Sequence, residues 1–132
     1  MTQEERELLR KDLCARLHYG VKVHLSRKHN RHEEDTVLNN VIITKDGLVV
    51  SNIIGYNYLL SEIKPYLRPM SSMTEEEKKI YSNFFISKEI DNFDFDIPNY
   101  DTIDWLNAHH FDYRGLIEKG LALEAPKGIY EY

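Results

Sequence analysis

The chain has 132 residues, 42% of them hydrophobic and 30% charged, which predicts one folded domain with a packed core and excludes general disorder. No apolar run approaches the roughly 20 residues of a membrane span, and the polar opening at residues 1–4 predicts no secretory signal peptide. The single cysteine, Cys14, has no second cysteine for an internal disulfide, so we expect a cytoplasmic protein.

The net charge of −5 is unevenly distributed along the chain. Residues 10–32 carry seven basic residues and one acidic residue, whereas residues 74–132 carry six basic and 13 acidic residues. We expect these charges to lie on separate faces, where they favour a charged partner. The same polarity is compatible with a monomer or with a weak homo-oligomer.

The chain opens with a predicted amphipathic helix. Thr2 and Glu5 have the spacing of a capping box, and leucines recur every four residues from Leu9 to Leu17. The helix is expected over residues 3–18, with Gly20 ending it. Cys14 is expected on its apolar stripe as a buried thiol, which disfavours nucleophilic catalysis.

Short β-rich segments follow. Residues 21–25 alternate as a half-buried strand does, residues 26–35 are expected to form a polar loop, and residues 36–44 form the next predicted strand. An Asp-Gly turn at residues 45–47 leads into strands over 48–51 and 53–60, with Gly55 as a bend or bulge. This pattern predicts a small antiparallel sheet or an SH3-like barrel.

A strap at residues 63–74 separates this part of the chain from the helical remainder. Pro65 and Pro69 favour an extended path, and the apolar residues around them predict that the strap lies against a core. Tyr66 and Leu67 are expected to be largely buried.

The remainder of the chain predicts about three helices. The first runs over residues 75–87 behind a Thr74 cap, the second begins at a Thr102 cap, and the third runs from an Asp112 cap to Lys119, with Gly120 after its end. Residues 89–100 are expected to form an irregular loop. The sequence therefore predicts a single α+β domain over residues 1–132.

Three segments carry a family resemblance: TQEERELLRKDLCARLHYGVKV at the start, IKPYLRPMSSMTEEE in the strap and DWLNAHHFDYRGLIEKGLALEAP near the end. Together they resemble a family of small proteins of gut anaerobes and of their phages and mobile elements. The resemblance implies no particular activity, and it does not extend over residues 24–62 and 86–100.

Two groups of side chains are candidate sites. His29 and His32, followed by acidic residues 33–35, have a spacing compatible with a metal site, although a solvated loop explains the same pattern. Arg27, Lys28 and Arg31 form the basic run best suited to contact nucleic-acid phosphates, but the run lacks aromatic residues for base stacking. The aspartates of residues 91–104 lack the spacing and the glycine of a calcium-binding loop.

The sequence favours a non-catalytic accessory protein that binds another protein and needs no cofactor. Its association with a phage or mobile element is implied by the resemblance alone. The alternatives are a nucleic-acid-binding module that uses residues 27–32 and a metal-dependent hydrolase that uses the two histidines.

Overall fold

The computed structural model describes residues 1–27, 32–43, 49–53, 56–91 and 100–130, and within them the chain is α+β, as predicted. The helices are α1 (Gln3–Arg16), α2 (Glu75–Asp91) and α3 (Tyr100–Ala108). The strands are β1 (Lys22–Arg27), β2 (His32–Val37), β3 (Ile42–Ile43), β4 (Val49–Ile53), β5 (Tyr56–Leu59), β6 (Ile63–Leu67) and β7 (Leu123–Glu124). None of the helices in these ranges is both long and apolar enough to cross a membrane.

The described strands form two open sheets and no closed barrel, so the SH3-like alternative is wrong. One sheet has the order β2-β1-β6-β7 and the other has the order β3-β4-β5. The first sheet is mixed, because β7 runs parallel to β6 while the other pairs are antiparallel. Closure would require β2 to pair with β7, and these two strands lie at opposite edges.

Of the predicted polar loop at residues 26–35, the described parts, residues 26–27 and 32–35, belong to two paired strands. Strands β1 and β2 pair from Lys22 opposite Val37 to Arg27 opposite His32. As an edge strand with a solvent-facing side, β2 accommodates acidic residues that would be costly in a central strand. The strand predicted over 36–44 is interrupted, because Leu38 turns into the core and its amide donates to the Val21 carbonyl. The predicted Asp-Gly turn and Gly55 lie outside the described residues.

The strap lies against the core, as predicted, but its first half is an inner strand of the sheet. In β6, Ile63 and Leu67 are buried while Tyr66 is only half-buried. Pro65 is accommodated because it pairs only with Val23 of β1, and the pairing with β7 begins one residue later. A 3₁₀ turn over Met70–Ser72 then leads to α2.

Helix α1 packs its apolar side against the inner face of the four-stranded sheet. Leu9 and Leu13 join one core cluster with the buried residues of β1 and β6. Cys14 is exposed, so the prediction of a buried thiol is wrong. The buried face of the helix instead includes Asp12 and Arg16, which lie one turn apart and are completely inaccessible to solvent.

These two charged residues connect α1 to the C-terminal part of the chain. Asp12 accepts hydrogen bonds from Arg16 Nε at 2.9 Å and from Arg114 Nε at 3.2 Å. Arg16 also donates to the carbonyl of Phe111, a fully buried residue. The segment around Phe111 is therefore attached to α1 by electrostatic as well as apolar contacts.

A second buried ion pair connects β6 to α2. Arg68 donates to both carboxylate oxygens of Glu77, at 2.9 and 2.7 Å, and its guanidinium lies 4.2 Å from the Phe111 ring centroid. Glu77 also completes the predicted capping box with Thr74. The hydrogen bonds from Arg68 are the main reason why the pKa of Glu77 falls to about 2.

Two details of the predicted C-terminal helices are wrong. Helix α3 starts at Tyr100, so Thr102 is buried within its first turn and does not cap it. Residues 112–119 form no α-helix: Gly115 has a φ of +75° that an α-helix cannot contain, and a turn follows over residues 116–120. The predicted helix over 75–87 forms, and it extends to Asp91.

Of the two capping signals around the missing helix, Gly120 acts as predicted, whereas Asp112 bonds amides four and five residues ahead instead of those two or three residues ahead. The Asp112 carboxylate accepts hydrogen bonds from the amides of Leu116 and Ile117. Gly120 has a φ of +74°, its amide donates to Ile117, and the Leu121 amide donates to the Leu116 carbonyl. This is the Schellman arrangement, and it places Leu116 and Leu121 in the main core.

Candidate functional site

The outer face of the four-stranded sheet, opposite α1, carries a groove of about 610 Å³. Strand alternation creates it: Val23 and Leu25 point into the core, so His24 and Ser26 point away from it. We call this surface the outer groove and define it by its lining residues, which are His24, Ser26, Leu59, Ser61, Glu62, Lys64 and Leu123.

A hydrogen-bonded cluster of three side chains lies along one side of the outer groove. His24 Nδ1 is 2.7 Å from Asp35 Oδ1, and the Tyr66 hydroxyl donates to the same oxygen at 2.9 Å. The His24 and Tyr66 rings meet edge to face with centroids 6.4 Å apart. The three residues come from β1, β2 and β6, so the cluster exists only when the sheet has formed.

The cluster changes the acidity of two of its members. The hydrogen bond with His24, followed by that from Tyr66, lowers the pKa of Asp35. Burial, and then the hydrogen bond to Asp35, raises the pKa of the Tyr66 hydroxyl. Asp35 therefore remains a carboxylate and Tyr66 a neutral phenol near neutral pH, which fixes the arrangement in its hydrogen-bonded form.

The other acidic residue of the outer groove, Glu62, is also held in place. It accepts a hydrogen bond from the Leu59 amide at 2.9 Å and lies 3.8 Å from Arg27 Nε. The Arg27 guanidinium in turn lies 4.6 Å from the Tyr58 ring centroid. The groove is thus built from rigid strand and turn residues whose acidic side chains already have partners.

Of the predicted nucleic-acid residues, the structure describes only Arg27. Its side chain is 14% exposed and is turned toward Glu62, so it presents little surface to a phosphate. Lys28 and Arg31 lie outside the described residues. The nucleic-acid interface therefore stays a prediction.

The metal prediction also stays untested. His29 lies outside the described residues, and of His32 the structure describes only its place at the start of β2. Elsewhere in the described ranges, no group of three or more histidine, cysteine or acidic residues is arranged to hold a metal ion. Of the aspartates of residues 91–104, Asp101 and Asp104 are exposed on α3.

Comparison of the chain with protein-family models, with curated proteins and with solved structures finds no match. The site therefore has to be interpreted from its own chemistry. Sequence reasoning did not select His24, Lys64 or Tyr66 as site residues, and it considered Asp35 only among the acidic residues of the metal candidate. The period-two alternation of residues 21–25 was the available signal for the outward position of His24, but it carries no information on the neighbouring strands.

Proposed function

We propose that this protein binds a short segment of a partner protein in the outer groove. The observation that carries the proposal is the groove itself, a concave surface of about 610 Å³ built on rigid strands. Its volume falls within the range of about 300–1,000 Å³ that is typical of binding pockets. The function is binding, and the expected partner is a protein.

The lining of the outer groove supports a peptide occupant. Leu59 is 47% exposed, and Leu123 lies in the same groove. Ser26 and Ser61 add hydroxyl groups beside these leucines. Apolar contacts beside a few polar groups are the composition that binds an apolar side chain and its adjoining backbone.

Two further parts of the proposal rest on the sequence. The family resemblance supports an accessory role in a phage or mobile element of a gut anaerobe. The single cysteine supports a cytoplasmic location, where thiols stay reduced.

The test is site-specific crosslinking. A photoreactive amino acid is placed at Ser61, in the outer groove, and as a control at Lys79, which is exposed on α2. We expect one protein from a lysate of the source cells to crosslink at Ser61 and not at Lys79. Excess unmodified protein should compete for it, and a Leu59→Ser change, introduced with the Ser61 probe, should weaken the crosslink.

The same experiment can overturn the proposal. Equal crosslinking at Ser61 and Lys79 would place the interaction elsewhere on the molecule. So would a crosslink at Ser61 that the Leu59→Ser change leaves unchanged. Capture of nucleic acid in place of protein would support the alternative based on the basic run.

A further inference from the structure

We infer that the outer groove recognises a carboxylate of its partner, and that Lys64 binds it. This inference rests on the proposed function and specifies the chemistry of the partner segment. It follows from the order of charges across the sheet and from which of them already have partners.

Three side chains form a row across the outer face of the sheet. His24 stands opposite Asp35 of β2 on one side and opposite Lys64 of β6 on the other. Because neighbouring strands are about 4.8 Å apart, Asp35 lies roughly 10 Å from the backbone of Lys64, with the imidazole between them. Asp35 is held by His24 and Tyr66, so its carboxylate already has two hydrogen-bond partners.

The two acidic side chains nearest to Lys64 in sequence or across the sheet, Asp35 and Glu62, are partnered, and the side chain of Lys64 is not. Asp35 bonds His24 and Tyr66, while Glu62 bonds the Leu59 amide and lies near Arg27. Lys64 is exposed, and within the described part of the chain its side chain takes part in no ion pair or hydrogen bond. Among the residues that line the groove, the charge left for a ligand is therefore the ammonium group of Lys64.

The surroundings of Lys64 favour one carboxylate over a polyanion. Strand β2 presents Glu33 and Asp35 as exposed side chains beside β1, and these would repel an extended phosphate backbone. A single acidic side chain can reach Lys64 without approaching β2. Leu59 and Leu123 in the same groove are suited to apolar neighbours of that acidic residue, so the expected segment has Asp or Glu next to an aliphatic side chain.

The test uses a random peptide library displayed on phage and selected against the full-length protein. We expect the enriched peptides to share an acidic residue beside an aliphatic one. Fluorescence anisotropy then measures the binding of a synthetic copy of an enriched peptide. We expect this peptide to bind Lys64→Glu at least about tenfold more weakly than it binds the parent protein. It should bind Lys64→Arg nearly as well as the parent protein. Lys79→Glu, an equal charge change outside the groove, should leave the affinity unchanged.

The outcomes separate this inference from the proposed function. Peptides whose binding depends on Leu59, but which bind Lys64→Glu with undiminished affinity, would leave the groove as a binding site. They would overturn the recognition of a carboxylate by Lys64. Selection of no peptide that competes with the Ser61 crosslink would count against the groove itself. A labelled single-stranded oligonucleotide that binds more tightly than the peptides, in a Lys64-dependent manner, would overturn the inference in favour of phosphate.

Discussion

At the scale of single residues, His110 occupies an unusual position. Its φ is +63°, it is 8% exposed, and its ring stacks on Tyr130 with centroids 3.8 Å apart. Within the described structure its buried Nδ1 has no hydrogen-bond partner. The pKa of His110 is lowered to about 4, mainly because the side chain is buried. Nearby positive charges lower this pKa further, and they belong to Arg16, His109, Arg68 and Lys22.

We expect this histidine to make the protein sensitive to mild acid. The folded state holds His110 neutral down to about pH 4, whereas the unfolded chain takes up a proton below about pH 6.5. The free energy of unfolding should therefore fall, by up to about 3 kcal/mol, as the pH drops from about 6.5 to about 4. Urea denaturation across this range measures the decline.

Substitution separates His110 from other titrating groups. Asn tolerates a positive φ and does not titrate, so His110→Asn should remove most of the decline between pH 6.5 and 4. His18 is exposed, and His18→Asn should leave the decline as it is. Glu77, whose pKa is lowered from 4.5 to about 2, lowers the stability mainly below about pH 4.5. A decline that survives His110→Asn would contradict the assignment.

At the scale of elements, β6 organises the fold. It pairs with β1 and β7, and its carboxyl end continues into Arg68, whose amide and carbonyl bond to His110 and Asp112. Its side chains alternate between the inner core and the outer groove. One short strand thus serves both stability and the proposed binding.

The inner side of β6 is expected to dominate its contribution to stability. Leu67 is fully buried, so Leu67→Ala removes apolar contacts and leaves a cavity. We expect the free energy of unfolding to fall by about 2–4 kcal/mol. Ile80 is 44% exposed on α2, and the matched change Ile80→Ala should stay within about 0.5 kcal/mol. Equal effects of the two changes in denaturant titrations would show that β6 is not core.

At the scale of the whole molecule, the uneven charge has a partial structural explanation. The ion pairs described for Arg10, Arg16 and Arg27 are made with Glu7, Asp12 and Glu62, all from the first half of the chain. Within the described residues, the ion pairs that join residues 1–73 to residues 74–132 are Arg68 with Glu77 and Asp12 with Arg114. In each of these two pairs at least one partner is almost completely buried.

We therefore expect the melting temperature to depend little on salt. Buried ion pairs are screened much less than exposed ones, so raising the ionic strength from about 0.01 to about 1 M should shift the midpoint by no more than about 3 °C. Any self-association between the basic face of one molecule and the acidic face of another should weaken over the same range of ionic strength. Thermal melts paired with light scattering test both, and a strongly salt-sensitive melt of a strict monomer would contradict the expectation.

The sequence alone determined the features that depend on neighbours within one or two turns. The capping boxes at Thr2 and Thr74 and the left-handed cap at Gly120 formed as predicted. Their hydrogen bonds connect groups a few residues apart, so the spacing of side-chain types is sufficient to specify them. The alternation of residues 21–25 likewise determined which side chains leave the core.

The tertiary structure decided the rest, because it depends on segments that are distant in the chain. His24 lies between Asp35 and Lys64 only because β1 pairs with β2 and β6 in one register, and a shift by one residue would turn these side chains to the other face. Asp12 and Arg16 are buried because Phe111 and Arg114 cover them from about 100 residues away. Local periodicity predicts that a strand or helix forms, but it does not specify its partners, and the proposed binding groove is made entirely of such partnerships.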